Sequence, residues 1–165
     1  MKFVICGHSR HGKDTLAEIL SLQFGLTSES SSYIAKDTVY GRSELLQSKY
    51  LNSTDAWLNR HNEQSEWFSR IADMNTPDKT GLAAVIFGAC DVYCGMREIN
   101  EFRACLKRWP DITPVWVDAS ERLPAESEES NTITANDCEF TICNNGTERE
   151  FERKVCRHFI KYKGL

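Results

Sequence analysis

A run of β-forming residues, Phe3-Val4-Ile5-Cys6, leads directly into Gly7-His8-Ser9-Arg10-His11-Gly12-Lys13-Asp14-Thr15. Leu16, Ile19, Leu20 and Phe24 then follow at the spacing of one helix face. Strand, glycine-bounded turn, lysine and amphipathic helix come in the order a P-loop requires. The glycines allow a tight fold that turns successive backbone N–H groups inward, forming a nest for phosphate oxygens. The helix adds its unpaired N-terminal N–H groups and the positive end of its dipole. Lys13 is placed to neutralise the β- and γ-phosphates of a bound nucleotide. The competing reading is a plain glycine turn that happens to carry a lysine.

One position departs from the usual pattern. A P-loop lysine is ordinarily followed by Ser or Thr, whose hydroxyl ligates Mg²⁺; here Asp14 holds that place and Thr15 comes next. Asp14 could hold the metal directly or through water, or it could cap the first helical turn, which favours a negative side chain. Both readings stay open, with Asp14 and Thr15 as the candidate metal ligands.

The 165 residues suit a single domain, 1–165, with a substantial core. With 41% hydrophobic and 27% charged residues the composition is that of a soluble globular protein, and a net charge of −4 argues against nucleic acid as the main partner. A small phosphorylated substrate held by a few local cations fits better. No apolar run reaches membrane-spanning length, and Met1 leads at once into a strand, so neither a membrane segment nor a signal peptide is expected. The seven cysteines, an odd number without a CxxC pair, indicate no zinc ribbon or disulfide framework and point to a reducing, cytoplasmic setting. Four histidines without metal-ligand spacing do not suggest zinc, and His8 and His11 should line or cover the phosphate site.

Further strands are expected at about 26–28, 91–95, 113–117 and 140–143. Gly25 should end the first helix, and short helices fall within 33–53. Asp55 reads as the N-cap of one long helix reaching Met74, and Pro77 sits in the first turn of another running to Gly88. Helices follow again around 99–109 and 151–159. Alternating strands and helices predict an α/β fold, a three-layer α/β/α arrangement with a mainly parallel sheet. Ligands of such sheets collect at the carboxyl ends of the strands. Gly95-Met96-Arg97-Glu98, Asp118-Ala119-Ser120-Glu121-Arg122 and Asn144-Asn145-Gly146-Thr147 should therefore open on the edge that carries the P-loop.

Arg60, Glu63, Trp67 and Arg70 would share a face of the long helix. Two arginines flanking a tryptophan could bind a nucleotide, the indole stacking on the base and a guanidinium on the phosphate. Alternatively, that face is solvated, with Glu63 paired to Arg60 or Arg70 and Trp67 half-packed on the sheet.

Gly-x4-Gly-Lys-Asp-Thr at 7–15 resembles the P-loop of bacteriophage deoxynucleoside monophosphate kinases. Gly95-Met96-Arg97-x3-Glu101 is similar to their strand-end segment, and Val117-Asp118-Ala119-Ser120-x-Arg122 and Ile142-x-Asn144-Asn145-Gly146-Thr147 resemble the lid start and last-strand turn of the wider class. The resemblance implies the P-loop NTPase fold of nucleoside monophosphate kinases, with ATP and Mg²⁺ as cofactors and phosphoryl transfer to a (deoxy)nucleoside monophosphate. It implies an acceptor-side helical region at about 28–76, matching least well, and a short lid at about 119–133. Lys13, Arg97 and Arg122 would be catalytic; Asn145, Gly146 and Thr147 would lie near the adenine; Ser32, Arg60, Trp67, Arg70 and Arg97 would serve the acceptor. The lid is short and acidic, with Arg122 as its cation, and no acidic residue ends the third strand, leaving Asp118, Asp14 or water as the further metal holder. Two other functions stay open: a kinase for a modified base in DNA or another small alcohol, and a nucleotide switch without transfer activity. Nothing in the sequence forbids a homodimer.

Overall fold

The computed structural model describes residues 1–127 and 130–164. Among these, five strands form one sheet in the order β2-β3-β1-β4-β5, and every pairing is parallel. The strands are β1 (Lys2–Cys6), β2 (Ser28–Ser30), β3 (Val92–Cys94), β4 (Ile112–Asp118) and β5 (Phe140–Cys143). The helices are α1 (Lys13–Phe24), α2 (Ser31–Arg42), α3 (Glu44–Lys49), α4 (Ser53–Leu58), α5 (Gln64–Met74), α6 (Gly81–Ala89), α7 (Ile99–Arg108) and α8 (Glu148–Lys163).

β1 is central, and its alternation explains the three layers. Phe3 and Ile5 face α1 and α8, packing with Leu16, Leu20, Phe151, Val155 and Phe159. Val4 and Cys6 face α6 and α7, packing with Leu82, Ile86, Phe87 and Phe102. A strand covered on both faces is apolar where it is covered, as β1 is from Phe3 to Cys6. Each fully buried phenylalanine contributes about 2–3 kcal/mol by leaving water. A third apolar cluster, Ala35, Val39, Leu46, Ala56 and Trp67, belongs to α2–α5, and Ile71 packs against both it and the α6–α7 face. The result is the expected three-layer α/β/α fold, with the P-loop segment joining β1 to α1.

Two expected helices differ. The long helix from Asp55 to Met74 is broken into α4, a 3-10 turn at Arg60–Asn62 and α5. Asn52, not Asp55, caps α4, accepting from the Asp55 N–H at 2.9 Å. The Asn59 side chain then donates to the Asp55 carbonyl at 2.9 Å, and side-chain competition of this kind ends helices. The helix expected from Pro77 starts instead at Gly81, because Asp78 accepts from both the Thr80 N–H and hydroxyl at 2.8 Å and holds a turn there. β2 lies two residues later than expected, with Ser28 beside Val92. Gly25 does end α1, in the left-handed conformation with φ 68°. Among the described residues no helix is long and apolar enough to cross a membrane, and all seven cysteines are free thiols.

Candidate active site

The turn between β1 and α1 is built by two close approaches. Gly7 has φ 143°, and a Cβ there would lie 2.6 Å from the Val117 carbonyl oxygen. Gly12 has φ 104°, and its Cβ would run into the side-chain amide of Asn144. Only glycine meets both the torsion and the space at these positions. Arg10, at φ 64°, adopts the left-handed region without being glycine. Asn144, at the end of β5, donates its amide to the His11 carbonyl at 2.9 Å, fixing the loop to the sheet.

Lys13 is folded back over this turn, its ammonium donating to the Gly7 carbonyl at 2.8 Å and the His8 carbonyl at 2.6 Å. Burial, reinforced by the nearby Arg97 charge, lowers its pKa to about 8. The two histidines support the loop. His11 is fully buried; its Nδ1 accepts from the Ala119 N–H at 3.0 Å, which leaves its proton on Nε2, facing the Pro124 carbonyl. His8 stands edge-on to both His11 and Trp116, and burial, then the neighbouring His11, lower its pKa.

A further contact closes the cradle. Glu126, from the expected lid, accepts from the Ser9 backbone N–H at 2.5 Å through Oε2, while its Oε1 pairs with Arg97. Its own N–H donates to His8 Nδ1 at 3.2 Å. The loop and Arg97 thus hold an anionic group already, and that group is a protein carboxylate.

Beside the cradle lies a solvent-open cleft. Ser9, Arg10, Lys13 and Asp14 form one wall, Ser30–Ser32 and the Tyr93–Glu98 strand end another, and Arg60, His61, Gln64, Trp67, Phe68 and Ile71 a third. Arg60 stacks on Trp57 at 4.8 Å and reaches Asp14 at 3.9 Å, and Ser32 accepts from the Trp57 indole at 3.2 Å. The Trp67 indole N–H is buried without a hydrogen-bond partner among the described residues. At the inner end Glu101 accepts from the Tyr93 hydroxyl at 2.8 Å, and burial raises its carboxyl pKa to about 7.

The structure therefore brings Ser9, Arg10, Lys13, Asp14, Ser32, Arg60, Trp67 and Arg97 to one cleft. Other expected site residues lie elsewhere. Arg122 gives both Nε and Nη2 to the Asn144 carbonyl, at 2.9 and 2.7 Å. Arg70 pairs with Glu66 at 2.8 Å and with Asp73 at 3.8 Å, and does not line the cleft. Glu63 bonds Lys49 at 2.6 Å rather than either arginine, and Trp67 sits in the helical cluster, not on the sheet. The break in the expected long helix explains these differences, since Arg60 and Trp67 no longer share one helical face. Asn145 binds Asp118 at 3.3 Å, Thr147 caps α8 in a reciprocal pair with Glu150, and a Cβ on Gly146 would meet the Glu150 carboxylate. Asp118 also accepts from the Ser120 N–H and hydroxyl. Asp14 is 77% exposed and Thr15 follows it in the first turn of α1. The expected lid includes residues 128 and 129, which lie outside the described residues.

Glu126, Asn144 and Glu101 carry site contacts that sequence reasoning did not assign. Glu126 reads as one more acid in a polar stretch, with no local signal. Asn144 and Glu101 fall inside segments already noted, but nothing in the spacing reveals their partners.

No family model matches this chain, and no curated protein matches it. Among solved structures it is similar to an unliganded sugar kinase from Janibacter sp. HTCC2649, at 12% identity over 94% of this chain and 92% of that one, with a TM-score of 0.49. It is similar to shikimate kinase from Aquifex aeolicus at 12% identity, 96% of each chain and a TM-score of 0.49. A gluconokinase from Sinorhizobium meliloti 1021 shows 12% identity, 93% and 88% coverage and a TM-score of 0.46. The functional reading rests on the site's own geometry.

Proposed function

We propose that this protein transfers a phosphoryl group from ATP to a (deoxy)nucleoside monophosphate. The observation that carries the reading is the cradle: two glycines pressed against the sheet, Lys13 over the turn, and the Ser9 N–H and Arg97 converging on an anion. That donor set fits a polyphosphate, which presents several anionic oxygens to backbone N–H groups and cations at once.

The neighbouring cleft suits the acceptor. Arg60 and Arg97 offer charge for its phosphate, and Trp67, Phe68 and Tyr93 contribute aromatic lining, with the Trp67 N–H unpartnered among the described residues. The exposed Asp14 carboxylate and the Thr15 hydroxyl are the groups beside the cradle that would hold Mg²⁺. No group of three metal-binding acids, histidines or cysteines occurs among the described residues, which suits an ion that keeps several waters and arrives on the phosphates. When bound, Mg²⁺ supplies charge compensation on the β- and γ-phosphates.

The chain's own part is positioning and electrostatics. Lys13 and the cradle orient the triphosphate. An oxygen of the acceptor phosphate, already anionic, bonds to the γ-phosphorus while the bond to the β–γ bridging oxygen breaks, and ADP leaves with that electron pair. Arg97 stabilises charge on the transferring group. The test is a panel of nucleoside monophosphates and small alcohols offered with ATP and Mg²⁺. Diphosphate formation from a nucleotide supports the reading. Transfer confined to alcohols, or ATP binding without any transfer, replaces it.

A further inference from the structure

The Glu126 carboxylate makes contacts that a pair of phosphate oxygens would make. One oxygen takes the Ser9 N–H at 2.5 Å and the other takes Arg97, and the side chain is only 7% exposed. It is brought there by the chain following β4, with Pro124 on His11 and the Glu126 N–H on His8 holding the approach. Two anions cannot share these donors at hydrogen-bond distance without strong repulsion in a water-poor site.

We propose that Glu126 is an internal occupant of the phosphate cradle, which a polyphosphate must displace before it binds. This rests on the phosphate-site reading above and adds a conformational step to it. Displacement has two linked consequences. Arg97 exchanges the carboxylate for a phosphate oxygen, so it becomes available to the reaction only when ligand is present. The Glu126 side chain loses its anchors on Ser9 and Arg97, while the Glu126 N–H and Pro124 keep their contacts to His8 and His11. A polyphosphate can offset the lost contacts because it engages further N–H groups and Lys13. Inorganic phosphate, with fewer oxygens to place, competes poorly. Glu126 therefore raises the apparent Kd of every anion that must enter the cradle by the same factor, which leaves weakly held small anions unbound at concentrations where nucleotides bind.

The experiment compares wild type with Glu126→Gln in calorimetric titrations with pyrophosphate, ATP and inorganic phosphate. The variant is expected to bind pyrophosphate about tenfold more tightly or better, the effect of removing one charged hydrogen-bonding competitor, with a similar fold-gain for ATP and inorganic phosphate. In NMR the Ser9 amide shift should differ between the two free proteins and converge once pyrophosphate saturates both. A variant that binds equally or more weakly, or a Ser9 difference that persists in the complex, makes Glu126 a fixed wall of the site and overturns the proposal alone. Wild type that binds neither pyrophosphate nor ATP overturns the phosphate-site reading itself. Should the variant fail to fold, the Glu126 side-chain carboxyl resonance of wild type decides: a shift on adding pyrophosphate supports displacement, and an unmoved resonance at saturation refutes it.

Discussion

Asn144 reaches 2.9 Å from the end of β5 to the His11 carbonyl, and the same amide occupies the space a Cβ on Gly12 would need. The loop's shape is thus imposed by a residue 133 positions away. Asn144→Ala leaves the His11 carbonyl without this donor and should cost about 1–3 kcal/mol of stability, read as a lowered denaturant midpoint. Gly12→Ala meets both the strained torsion and the amide, and should abolish the rise in melting temperature on adding ATP. An unaltered rise would show that the cradle tolerates a different loop.

Lys13→Ala should eliminate transfer while the far-ultraviolet circular dichroism stays that of wild type. A second measurement uses the lowered pKa of Lys13, about 8 in the unliganded protein. A phosphate beside the ammonium favours its charged form and raises that pKa. Nucleotide binding between pH 8 and 9 should therefore take up protons, and affinity should weaken as pH climbs through 8. Titrations in two buffers of different ionisation enthalpy would show it; no uptake would mean that Lys13 does not meet the phosphates.

Arg97→Ala should lower turnover by about 10²–10³-fold, the usual effect of removing a donor to transition-state charge. Arg70→Ala should leave kcat/KM within about twofold, since Arg70 is held by Glu66 and Asp73 outside the cleft. Steady-state kinetics on the two variants would reveal a reversed ranking directly.

Glu101 makes stability depend on pH. Its folded pKa lies at about 7 against an ordinary 4.5, raised by burial. Between those values the native state holds a proton that the unfolded chain has lost, so this contribution is complete below pH 4.5 and declines as pH rises to 7. The shift corresponds to about 3 kcal/mol. Glu101→Gln should remove the decline, making the variant the more stable protein above pH 7 in urea titrations. Parallel wild-type and variant profiles would place the carboxyl pKa in its ordinary range.

How far the sequence reaches is visible in particular residues. Phe3–Cys6 and the glycine–lysine turn determine a central strand, a tight loop and a helix locally, because apolar patterning, glycine torsions and the following helix face act within a few residues. Val92–Cys94 and Ile112–Asp118 are legible for the same reason, as apolar segments that a parallel sheet buries on both faces, and Phe140–Cys143, an edge strand with Thr141 exposed, by its β-forming residues. The single helix that the spacing predicts from 55 to 74 breaks where Asn59 turns its amide on the backbone, a side-chain choice that periodicity does not register.

Tertiary structure alone decided which polar groups meet. Glu126 and Arg97, Asn144 and His11, and Glu101 and Tyr93 become partners only because the parallel crossovers bring several strand ends to one edge of the sheet. The same folding turned Arg122 onto the Asn144 carbonyl. Hydrophobic spacing is a one-dimensional signal and survives in the sequence. A hydrogen bond between residues far apart depends on distances that exist only after the chain has closed on itself.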